Sequence, residues 1–115
     1  MESIFLTGEK ECGQMRENEV LKKLSTEIAG KKKIVAIKTV YKNGFLFSAE
    51  IIYVFTEKES GMKIKYLTSN AKHSPDREKE IKSLLEGMIK EISNITAIQS
   101  VYKNGHLIAA EIYHQ

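Results

Sequence analysis

The sequence predicts an α+β fold built from one strand-helix-strand-strand unit used twice, an antiparallel sheet with two helices packed on one face. Three observations predict it. The pentapeptide Val40-Tyr41-Lys42-Asn43-Gly44 recurs as Val101-Tyr102-Lys103-Asn104-Gly105, and the same offset, held without gaps, pairs residues 1–54 with 62–115. Of those 54 pairs 20 are identical, far above chance, so the chain is two copies of one supersecondary unit. Each copy also carries an apolar stripe at helical spacing, followed by two β-rich runs joined by Asn-Gly. The domain organisation is therefore a single pseudo-two-fold domain, with repeat 1 over 1–54, a polar joint over 55–61 and repeat 2 over 62–115.

The elements follow in chain order. Ser3-Ile4-Phe5-Leu6-Thr7 is a short first strand, and residues 63–68 are its counterpart. The first helix begins around Met15 to Glu17 and carries Val20, Leu21, Leu24 and Ile28 on one side; it ends at Gly30, where a left-handed turn is easiest for glycine. The second helix is marked by Ser74 as N-cap, by Pro75 at the first helical position and by Asp76, Glu78 and Glu80 at the positive end of the dipole. Its stripe is Ile81, Leu84, Leu85, Met88, Ile89 and Ile92. Strands are expected over 34–42 and 45–55, then over 95–103 and 106–114, because Asn-Gly supplies the two positive-φ residues of a tight hairpin.

A two-residue turn with no bulge sets Val40 opposite Phe47, Lys38 opposite Ala49 and Ala36 opposite Ile51. The helix-covered face would then carry Ile34, Ala36, Lys38, Val40, Phe45, Phe47, Ala49, Ile51 and Tyr53. The other face would carry Ile37, Tyr41 and Glu50, matched by Ile98, Tyr102, Glu111 and Tyr113. A mid-strand carboxylate among apolar and aromatic neighbours, standing at the same place in both copies, suits a ligand site or a subunit interface. The candidate ligand-binding residues are thus Glu50, Glu111, Tyr41, Tyr102, Ile37, Ile98 and Tyr113.

Composition limits the function classes. A chain of 115 residues with net charge +3, 42% hydrophobic and 29% charged residues is ordinary for a soluble globular domain and excludes a disordered or collagen-like one. Its longest apolar run, Ile51 to Phe55, is too short to span a bilayer. A single cysteine, Cys12, makes no internal disulfide and fits a cytoplasmic location. His106 and His114 share a face but lie too far apart to hold one metal ion. Cys12 aligns with His73 of the other copy, a pairing more simply explained as inert packing than as a nucleophile and base. No phosphate loop, metal spacing or triad is legible, so the expectation is a protein without catalytic residues or cofactor. Helix, three strands and helix also occur in double-stranded-RNA-binding domains, but the acidic start of the second helix and the even spread of lysines argue against nucleic acid.

The duplicated strand-helix-strand-strand order resembles the gyrase-inhibitor-like effector-binding superfamily. The resemblance covers nearly the whole chain as an order of elements. It implies a pseudo-symmetric sheet with helices on one side and an open face that takes small molecules; in the drug-sensing members a carboxylate there receives hydrophobic cations, a role that would fall to Glu50 or Glu111. The sequence thus leads to a non-enzymatic small-molecule binder, with a protein-interaction module as the alternative, a homodimer or partner contact through the same face. Half of the chain alone is expected to be unstable, because one helix and a hairpin bury too little apolar surface.

Overall fold

The fold is given by a computed structural model that describes residues 1–69 and 75–115. The expected Ser74 cap and His73, the residue aligned with Cys12, lie outside the described residues. The elements are β1 (Glu2–Leu6), α1 (Gln14–Ile28), β2 (Lys32–Lys42), β3 (Phe45–Phe55), β4 (Lys63–Leu67), α2 (Pro75–Glu91), β5 (Ile95–Lys103) and β6 (His106–His114). They form two compact units, Met1–Met62 and Lys63–Gln115, each with its own antiparallel three-stranded sheet, ordered β1-β3-β2 and β4-β6-β5. The α+β class, the duplicated unit and the packing of each helix on one sheet face agree with the sequence expectation.

In the first unit α1 packs across β3. Its buried side chains Val20, Leu24 and Ile28 meet Leu46, Ala49, Ile51 and Tyr53, with Leu6 of β1 closing the side. The helix ends at Ile28, with Ala29 as an ordinary right-handed cap, and Gly30 is not left-handed. The expected glycine turn is unnecessary because the joint supplies partners for the end of the helix. Ser60 Oγ donates to the Ile28 carbonyl, the Gly61 amide to that of Ala29 and the Ser60 amide to that of Gly30. In the second unit Leu67, Ile81, Leu107, Ala110 and Ile112 form the core, with Leu85, Met88, Ile92 and Ile95 packed against it.

The register departs from a plain hairpin at one place in each arm. Asn43 and Gly44 hold the turn with φ of 52° and 83°, and Asn104 and Gly105 repeat it at 51° and 80°. Lys42 faces Phe45 and Tyr41 faces Leu46, but Val40 faces Ser48, so Phe47 is an extra residue in β3. A second irregularity, at Val35 of β2, restores the step, and Ile34 faces Tyr53. The second hairpin repeats both, with Ile108 and Thr96 as the extra residues. The expected pairs Val40 with Phe47, Lys38 with Ala49 and Ala36 with Ile51 are therefore replaced by Val40 with Ser48, Lys38 with Glu50 and Ala36 with Ile52. A one-residue slip transfers a strand's side chains to the opposite face. Ile37, Thr39 and Tyr41 consequently lie on the helix side, opposite Ile51, Ala49 and Leu46, while Ala36, Lys38 and Val40 lie on the outer face.

Candidate interaction surface

The bulges are held from the helices. Arg16 donates from Nε to the Phe47 carbonyl (2.9 Å), from Nη1 to the Lys10 carbonyl (3.0 Å) and from Nη2 to Thr7 Oγ1 (2.8 Å). Arg77 repeats the set on the Ile108 carbonyl (2.9 Å), the Ser69 carbonyl (2.6 Å) and Thr68 Oγ1 (2.9 Å). Both guanidiniums are buried, and burial of such a charge is tolerable only with its donors satisfied. In the first copy Glu17, also buried, accepts the Leu46 amide at 3.0 Å, and the Arg16 guanidinium stacks 3.7 Å from the centre of the Phe47 ring. Sequence reasoning missed this device, although Thr7/Thr68, Arg16/Arg77 and Glu17/Glu78 are among the identical pairs. An Arg-Glu pair retained in both copies while its neighbours Gln14/Pro75, Met15/Asp76 and Asn18/Lys79 differ is the signal that could have found it.

Once the bulges are in place, the seven candidate residues separate. Glu50 lies on the outer face of the first sheet, opposite Phe5 of β1 and Lys38 of β2. Glu111 lies on the outer face of the second sheet, opposite Tyr66 and Gln99. Tyr113 remains beside Glu111, its hydroxyl donating to Glu111 Oε1 at 2.6 Å. Ile37, Tyr41, Ile98 and Tyr102 leave both carboxylates, because their register partners are the helix-side residues Ile51, Leu46, Ile112 and Leu107. The two glutamates also differ in access. Glu50 is half-buried, whereas Glu111 has 0% of its surface exposed. Burial, then the charge of Glu111 and its hydrogen bond, push the Tyr113 phenol well above the ordinary tyrosine range.

His106, His114 and Cys12 have local partners. His106 Nδ1 lies 3.1 Å from Glu78 Oε2, while Lys82 bridges the other oxygen of that carboxylate at 3.0 Å; Lys82 first and His106 second hold Glu78 below the usual carboxylate range. His114 contacts the backbone of Gln115, and the Cys12 thiol donates to the Lys42 carbonyl at 3.1 Å. Among the described residues no three acidic, histidine or cysteine groups converge as metal ligands.

Large apolar side chains are exposed on ordered strands in two places. On the outer face of the first sheet these are Phe5, 69% exposed, with Val40 and Val54. In the second unit α2 packs mainly on β6 and to a lesser extent on β4, with Ile95 of β5 joining the core. Ile98 (44%) and Tyr102 (60%) of β5 are exposed, and so is Ile89 of α2. A shallow depression of about 510 Å³ also runs beside α1, lined by Leu6, Glu19, Lys22, Lys23, Thr26 and Glu27. There Glu19 accepts the amides of Glu9 and Lys10, which hold its carboxyl below the usual range.

No helix in the described residues is long and apolar enough to cross a membrane. Comparisons with protein-family models, with curated proteins and with solved structures give no match for this chain.

Proposed function

We propose that the protein is a non-enzymatic interaction module that sets the apolar outer surface of its strands against another polypeptide. The observation that carries this reading is the exposure of Phe5, Val40 and Val54 on one sheet face, and of Ile98 and Tyr102 on an edge strand. Ordered strands that present large apolar groups to water mark contact surfaces more often than they mark nothing. The sealing of Glu111 supports the same choice over a ligand site, because a carboxylate without exposed surface and already bonded to Tyr113 offers nothing to an incoming cation. The test is chemical-shift mapping on the full chain with polypeptides selected from a random displayed library. Perturbations are expected at Phe5, Val40 and Val54 or at Ile98 and Tyr102. Binders that gather instead beside α1, at Glu19 and Lys22, would overturn the reading.

A second reading rests on Glu50, which keeps part of its surface and faces the exposed Phe5 ring across the strands. A hydrophobic cation laid on that ring would meet both a carboxylate and a ring quadrupole, the chemistry that the gyrase-inhibitor-like resemblance implies. Lys38, on the other side of Glu50, works against it. Titration with tetraphenylphosphonium is expected to lose about tenfold in affinity on Glu50→Gln if this reading holds, since one charge contact of about 1.4 kcal/mol is removed. Equal affinities for the two proteins would end it.

A further inference from the structure

We propose that the partner for one of these surfaces is a second copy of the chain, added along β5, edge to edge and antiparallel, so that two β4-β6-β5 sheets become one of six strands. The inference rests on the interaction reading and names its partner. It begins from four pairs that are identical in the two copies: Leu24/Leu85, Ile28/Ile89, Ile37/Ile98 and Tyr41/Tyr102. In the first copy Leu24 and Ile28 are fully buried and Ile37 and Tyr41 half-buried. In the second copy Leu85 is partly buried against the core, whereas Ile89 is 42% exposed and Ile98 and Tyr102 more so. Three of these four positions are thus exposed in the second copy and at least partly buried in the first.

Charge on the strand edges selects the occupant. Each sheet has two edge strands, and natural edges discourage pairing with lysines or by being short. β1 has only five residues, β4 carries Lys63 and Lys65, and β2 carries Lys32, Lys33, Lys38 and Lys42. β5 is nine residues long and uncharged from Ile95 to Tyr102, its one lysine being the terminal Lys103. An antiparallel seam of β5 with itself, centred on Gln99, sets Ile98 against Ser100, Ala97 against Val101 and Thr96 against Tyr102 without placing charge against charge, and it closes as a two-fold dimer. The same seam on β2 would gather lysines from both chains. Pairing along β5 also lets the exposed Ile98 and Tyr102 of each copy add apolar contact to the backbone bonds.

The experiment uses the full chain in sedimentation equilibrium across the micromolar range, with amide exchange read on β5. A dimer is expected, with the alternate β5 amides that point away from β6 exchanging more slowly as concentration rises. Ile98→Lys, at an exposed position, should keep the circular dichroism spectrum and weaken the dimer on the order of 100-fold, because it brings a lysine from each chain into an otherwise uncharged seam. Val40→Lys, on β2, should leave the dimer intact. A monomer at every concentration would overturn the proposal while leaving the interaction reading to the library mapping. A dimer broken by Val40→Lys but not by Ile98→Lys would overturn the β5 seam and keep the interaction reading on the first sheet.

Discussion

The Glu111–Tyr113 pair gives pH a hold on stability. The phenol of Tyr113 is raised above its unfolded value of about 10, first by burial and then by the neighbouring carboxylate. A raised acid favours the protonated form in the folded state, so its contribution is complete below pH 10 and is lost as pH rises beyond that value. We expect unfolding free energy to fall above pH 10 by up to about 1.4 kcal/mol per pH unit from this group. Tyr113→Phe should flatten that limb while lowering stability at pH 7 by about 1–3 kcal/mol, since Glu111 loses a buried donor. Chemical denaturation at several pH values measures both. Of the residues singled out in the sequence, Glu50 and Glu111 do occupy outer faces, and Tyr113 does stand beside Glu111. Their expected neighbours Ile37, Tyr41, Ile98 and Tyr102 do not, because parity counted from the turn is valid only up to Phe47 and Ile108.

At the scale of elements, one arginine per copy ties helix, bulge and loop together. Arg77→Met keeps the volume and removes five donors, leaving the Ile108 and Ser69 carbonyls and Thr68 Oγ1 each short of a bond. We expect a loss of about 2–4 kcal/mol, and Arg77→Lys should recover only part of it, because an ammonium cannot reach three acceptors as a planar fork does. Urea midpoints of the three proteins give the comparison. Strand and helix boundaries were largely legible, since periodicity and the Asn-Gly turns carry local information. The bulges were not, because an extra residue is specified by what grips its carbonyl from a helix about 31 positions away. The ends of α1 were misjudged for a similar reason: the joint around Ser60, distant in sequence, replaces a glycine cap.

For the whole molecule, each unit is one helix on one three-stranded sheet, a size at which a single core is marginal. A fragment of residues 63–115 is expected to be largely unfolded or self-associated on its own, read by circular dichroism and sedimentation; a folded monomer would contradict the expectation. The paired bulges bear on how such a chain can change by descent. Phe47 adds one residue to β3 and Val35 one to β2, so the two shifts cancel and both ends of the hairpin stay in step. Loss of either codon would leave the pairs on both sides in place, because the extra residue has no partner across the ladder, but loss of Phe47 would also remove the carbonyl that Arg16 holds. The ladder itself thus accepts either length, and what retains the extra residue is the arginine that grips its carbonyl, a device present in both copies.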